Sequence, residues 1–209
     1  MKLYNLTSIS FALSNLALSR LKISRIAELN DPFELMSANT SDVRQHNALE
    51  TFKEQTNDST GLICFSELWD NPVLWGHYAD KHSGVALGFE VDEKLLFKVT
   101  YENTKFDLPI NTLTNQVECD EKTLKILLST KFVDWQYEDE WRMFTNLNDS
   151  VIESGLYFEK FSDDLRLKEV ILGAKCELPI NEMQSFVDKL GYKIQVKKAK
   201  LDGKTYNVI

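Results

Sequence analysis

"WQYEDEWRMF", residues 135–144, sets three acids and an arginine among four aromatic rings. Read as a strand over 137–144, its side chains alternate between two faces. Tyr137, Asp139, Trp141 and Met143 then share one face, which is mostly apolar and belongs to the core. Glu138, Glu140, Arg142 and Phe144 share the other. That second face carries a Glu-x-Glu-x-Arg ladder, with neighbouring side chains roughly 7 Å apart. Two carboxylates on one face repel. At least one is expected to hold its proton more tightly unless Arg142 or a ligand compensates. Such a pair can do acid/base work or stabilise a cation. Two plainer readings stand beside this one. In the first, Arg142 offsets Glu140 in a surface ladder. In the second the segment is a helix, and Glu138 and Arg142 form an i,i+4 pair.

The flanking sequence predicts an α+β fold: one domain over 1–209, mixed or antiparallel sheets, helices packed on them and a C-terminal hairpin. Short strands are expected at 2–6, 20–24, 61–66, 85–91, 96–101 and 169–173. "GLICFS" (61–66) is an apolar run of strand length, to be buried on both faces. Helices are expected over 9–18 with Thr7 or Ser8 as cap, over 41–56, over 71–79, over 120–131 and over 179–190. Asn71 caps the third of these, with Pro72 at its first position. Asp202-Gly203 between alternating runs predicts the closing hairpin.

Composition narrows the function classes. Lys and Arg total 24 against 32 Asp and Glu, for a net charge of −8. This argues against broad charge-driven binding to nucleic acid or an anionic membrane. Lys193, Lys197, Lys198, Lys200 and Lys204 form the one basic cluster, read as a solvated strand face. The three cysteines, Cys64, Cys119 and Cys176, have no zinc-like spacing and suggest a reduced compartment. No apolar run reaches the roughly 18 residues of a membrane span. A cytoplasmic bacterial protein without a membrane partner is expected. Neither GxGxxG, GxxxxGK[ST] nor GxSxG occurs, which excludes the ordinary Rossmann, P-loop and serine-hydrolase signatures.

Two further stretches are dense in chemistry. "SELWDNPVLWGHYADKHSG" (66–84) brings Ser66 to the end of a buried strand and Trp75, His77 and Tyr78 onto the helix that follows. Strand ends feeding a helix are frequent ligand sites. His77 is a candidate donor or base, or a half-buried histidine with structural partners. His77 and His82 fit no common metal spacing, so no metal is expected. "ELNDPFE" (28–34) combines a tight turn with Asp31 and Glu34: Asn30 or Asp31 bonds its own backbone and fixes the turn, or the turn presents a carboxylate, Asp31 foremost, to a ligand.

Taken in order, "LYNLTS", "RLKISRIAELNDPFE", "GLICFSELWDNPVLWGHYADKHSGVALGFE", "KFVDWQYEDEWRMF" and "EVILG" resemble the bacterial domain of unknown function family 2971. That family carries an NDPFE turn, a W-x-HYA helix and a YE-x-EWR strand. Leu29 stands where Phe is usual in it, a packing change. The family label supplies no reaction. The chain also has a partial resemblance to mono-ADP-ribosyltransferases, compact α/β domains that bind NAD between two small sheets. On that resemblance Glu140 matches the catalytic glutamate, Glu138 the preceding acid and Ser66 the second motif. The early strand has Tyr4 and Asn5 where an Arg or His is usual. The resemblance implies NAD as substrate, with Glu140 stabilising an oxocarbenium-like ribose, Trp75 and Tyr78 stacking on nicotinamide and Arg142 on the pyrophosphate. It also implies a toxin or phage-defence setting, with a protein or nucleic-acid acceptor left open. The alternatives are a non-catalytic module that binds a nucleotide or a protein, and a hydrolase using the Glu138/Glu140 pair.

Overall fold

Alternating apolar segments of strand length build a ten-stranded mixed sheet in the computed structural model, which describes residues 1–40, 42–107, 110–111, 116–117 and 120–209. Along the chain its strands are β1 (Lys2–Thr7), β2 (Arg20–Arg25), β3 (Thr60–Ser66), β4 (Val85–Val91), β5 (Leu96–Lys98), β6 (Glu140–Asn146), β7 (Val151–Glu153), β8 (Leu156–Lys160), β9 (Leu165–Leu172) and β10 (Gln195–Lys198). The helices are α1 (Ile9–Ala17), α2 (Val43–Ser59), α3 (Pro72–Tyr78), α4 (Glu121–Ser129) and α5 (Ile180–Lys189). Cys119 lies outside the described residues. Among the described residues no helix is long and apolar enough to cross a membrane.

The spatial order is β7-β8-β2-β3-β1-β4-β9-β10, with β6 on β3 and β5 on β6. Only β9 and β10 pair in parallel within it, joined by α5 as crossover. Both faces of the sheet are covered, as the apolar run of β3 predicts. Leu16 of α1 and Met183 of α5 pack on one face with Leu3, Leu87 and Val170. On the other, Trp75 and Ala79 pack over Tyr4, Ala86 and Ile171. Farther along that face, Phe52 of α2 and Leu128 of α4 cover Leu62 and Phe144.

The irregularity that matters lies along β3. One edge pairs with β6 throughout, from Glu140↔Ser66 to Asn146↔Thr60. The other edge meets β1 only at Tyr4↔Ser66 and β2 only at Ser24↔Leu62 and Arg25↔Gly61. Between those pairs Ile63, Cys64 and Phe65 have no strand beside them on this edge. The sheet is split there, and β1 and β3 line a cleft.

The cap predictions match closely. Ser8 accepts from Phe11 N and Asn71 from Val73 N, with Pro72 opening α3. Two expectations need adjustment. The run 96–101 is two strands: β5 pairs with β6, while Thr100–Glu102 pairs in parallel with Thr130–Phe132. Buried Val99, bonded to Glu140 O at 2.9 Å, carries the chain from one sheet to the other. The C-terminal hairpin is a single bridge, Leu201↔Val208, whose loop is wider than Asp-Gly alone.

Candidate active site

The acidic stretch is not one strand. Val133–Glu138 forms a 3-10 turn, and Asp139 adopts a left-handed conformation (φ 41°) before β6 starts at Glu140. Asp is among the residues that tolerate this region. Three side chains fix the turn. Ser66 Oγ donates to Glu138 O at 2.6 Å, Asn71 Nδ2 to Tyr137 O at 3.2 Å, and Glu140 N donates to the Tyr101 hydroxyl at 2.8 Å. The strand alternation expected across Glu138 and Glu140 is therefore replaced by this turn. Both carboxylates still reach one place, because β6 and the turn converge on it.

Neither a surface ladder nor an i,i+4 helix pair describes the result. Glu140 is 3% exposed and Arg142 1%. Arg142 uses all its donors: Nε and Nη2 reach Glu140 at 2.9 and 3.1 Å, Nη1 and Nη2 reach Glu34 at 2.9 and 2.7 Å, and Nη1 also reaches Leu128 O at 2.8 Å. Two bidentate carboxylates on one guanidinium hold it rigidly. Lys131 Nζ lies 2.6 Å from Glu138, 3.2 Å from Glu140 and 3.6 Å from Glu34. Glu34 arrives from the NDPFE turn. Asp31 Oδ1 accepts from Phe33 N at 2.9 Å, and that turn points Glu34 inward. The Tyr78 hydroxyl donates to Glu138.

The cluster thus holds three carboxylates against two cations. Their environments divide the acids. Burial alone would raise Glu140, but Arg142 and Lys131 override it and bring the carboxyl down to about 2. Burial raises Glu138, which Lys131 only partly offsets and the negative Glu140 reinforces. Two neighbouring carboxyls driven in opposite directions are the pattern that separates an acid/base group from a permanent charge. Burial and Glu138 also raise the Tyr78 hydroxyl, which keeps it a proton donor in the bond to Glu138.

A cavity of about 300 Å³ opens from this cluster into the split between β1 and β3. Glu34, Glu138, Glu140, Lys131, Tyr78 and Ser66 line it, with Cys64 and Tyr4. Asn5 donates to Cys64 O at 3.0 Å across the split, and Lys22, Ser24 and Asn30 form a polar mouth.

Of the predicted site residues, Glu138, Glu140, Ser66, Tyr78 and Tyr4 line this cavity; Trp75, His77, Arg142 and Asp31 do not. Trp75 is fully buried and donates its indole N–H to Trp69 O, so its ring cannot stack on a ligand. His77 Nδ1 bonds the Tyr137 hydroxyl at 2.8 Å, away from the cavity. Arg142 has no donor left for a pyrophosphate. Asp31 serves its own turn and lines a separate cavity. Of the two turn acids, Asp31 was expected at the site and Glu34 is the one that reaches it. Lys131, which opens the "KFVDWQYEDEWRMF" motif, was missed as a site residue. Among the described residues no group of three His, Cys, Asp or Glu is arranged to hold a metal ion.

Fold and site define an α+β protein with a split sheet and a buried, carboxylate-rich charge cluster at the split. The chain matches the family model described as "Protein of unknown function (DUF2971)" over residues 74–143, which bears out the resemblance read from the motifs. The matched segment runs from α3 to β6 and includes Tyr78, Lys131, Glu138, Glu140 and Arg142. No curated protein and no solved structure matches the chain.

Proposed function

We propose that the chain is an enzyme acting on a nucleotide such as NAD, held in the cleft between β1 and β3, with ADP-ribose transferred to an acceptor or to water. The observation that carries this reading is the opposite poise of Glu138 and Glu140 on one cavity wall. The C–N bond to nicotinamide breaks, its electron pair leaves with the ring nitrogen, and the ribose becomes oxocarbenium-like. The acidic excess of the cluster opposes that positive charge. An acceptor O–H attacks the ribose carbon and its proton passes to Glu138, whose raised affinity suits a general base. Glu140, the catalytic match of the resemblance, is saturated by Arg142 and Lys131, so proton transfer falls to Glu138.

A cavity of about 300 Å³ is at the small end of ligand sites. It suits the nicotinamide riboside end, with the rest of the molecule leaving through the polar mouth. Lys22 stands there in an exposed pair with Glu28 at 2.7 Å, weak enough to yield to a phosphate.

A non-catalytic nucleotide-binding module is the second reading, favoured by the neutralisation of Glu140. Nicotinamide release from NAD separates the two. The enzyme reading expects release by the wild type and its loss in Glu138→Gln with the fold intact by circular dichroism. A thermal shift with NAD but no release supports the module. Neither release nor shift overturns NAD as the ligand.

A further inference from the structure

A second cavity, of about 490 Å³, lies beside the NDPFE turn and plays no part in the chemistry above. Lys131 lines both cavities. The walls of the second are set by three rings, Phe33, Phe132 and Trp135. Phe33 is 59% exposed and Phe132 46%, although the first sits in a hydrogen-bonded turn and the second in a paired strand. The Asp31 bond that points Glu34 inward leaves Phe33 outside. Phe132 is the last residue of its parallel pair, opposite Glu102. Lys105 Nζ sits 5.0 Å from the Phe33 ring centre and Lys131 Nζ 4.8 Å from that of Trp135, each cation against an aromatic face.

We infer that this cavity is a binding site for a flat, uncharged heteroaromatic ligand, a nucleobase or nucleoside, stacked between Phe33, Phe132 and Trp135. Rings of this kind are sequence-tolerant platforms for bases, since every base has a π-face. The charged side chains on the wall cancel: Asp31 and Glu102 against Lys105 and Lys131. That balance gives a phosphate no advantage, so the ligand class is the base and its sugar. Asn103 and Thr104 on the rim supply the donors and acceptors a base edge requires. The inference does not rest on the reading of NAD in the first cavity.

Adenosine, guanosine, cytidine and uridine titrated into the purified protein, followed by ligand-detected NMR, test it. At least one nucleoside is expected to bind. Phe33→Ala and Phe132→Ala, both at exposed positions that spare the fold, each weaken it by about tenfold or more. Lys22→Ala, at the mouth of the first cavity and paired with Glu28 outside the second, leaves the affinity within about twofold. Binding that survives both phenylalanine substitutions places the nucleoside elsewhere and overturns the inference. So does the absence of binding by all four nucleosides up to their solubility.

Discussion

Glu140 and Glu169 are two buried glutamates on strands of one sheet, and each meets two cations. Their surroundings differ. Glu169 on β9 pairs with Lys2 and Lys197, whose side chains are 52% and 44% exposed, and accepts the Tyr4 hydroxyl at 3.0 Å. It fills the space over Gly88, where an added Cβ would come within 2.7 Å of its Cγ. No described cavity touches it. Glu140 pairs with Arg142 and Lys131, both buried, and shares them with two further carboxylates at the wall of a cavity. Burial and pairing alone make a structural carboxylate. What marks a site is an uneven count of buried charges beside an open volume, since one acid is then left to titrate.

The sharpest way to break this contrast is to remove a buried cation. Arg142→Met leaves Glu34 and Glu140 facing each other without a guanidinium and is expected to cost about 3–5 kcal/mol in urea unfolding. Arg142→Lys restores little, because an ammonium cannot bridge two carboxylates bidentately. A loss below about 1 kcal/mol for Arg142→Met would mean that the cluster is far wetter than its burial implies.

Acid should separate the two acids of the site by sign. Glu140 falls from 4.5 to about 2 on folding, so its contribution is full above pH 4.5 and is lost as pH drops toward 2. That slope amounts to about 3 kcal/mol and should vanish in Glu140→Gln. Glu138 is raised, so its contribution is present at low pH and is lost as pH rises through its folded value. Glu138→Gln is therefore expected to flatten the limb of the stability profile that lies above pH 4.5, without steepening the acid limb. Equal slopes in both variants would contradict the division of roles.

The smallest effect belongs to the comparison carboxylate. Glu169→Gln gives up pairs to half-exposed lysines and is expected to cost about 1 kcal/mol in thermal unfolding, with cavity binding unchanged. A change in NAD or nucleoside binding would show that Glu169 is coupled to the site after all.

The sequence carried the local rules well and the long-range ones poorly. The Ser8 and Asn71 caps, the apolar run of β3 and the amphipathic helix α5 follow from residues close to one another in the chain. The Glu140–Arg142 pair was also legible, because a period-two pattern puts both on one face of β6; Glu138 joins them through the turn instead. The pair's burial was not. Glu34 lies 108 residues from Arg142, and nothing local announces that a turn glutamate will meet it. Lys131 is a single lysine in an apolar and aromatic stretch, indistinguishable by sequence from a solvated one. The aromatic helix misled in a physical way: Trp75 and His77 have the chemistry of ligand contacts, but their faces of α3 turn toward Trp69 and Tyr137. Only Leu74 and Tyr78 face the cleft.

The central claim is that one carboxyl of the cluster titrates above the ordinary range while its neighbour stays ionised. Side-chain carboxyl NMR on protein labelled with 13C-glutamate reads this directly, with Glu138→Gln and Glu140→Gln for assignment and Tyr78→Phe for sharpening. The expected result is one resonance titrating above 4.5 that disappears in Glu138→Gln and moves higher still in Tyr78→Phe, and another held ionised to about pH 2 that disappears in Glu140→Gln. A Glu138 carboxyl that titrates below 4.5 alongside Glu140 would contradict the account.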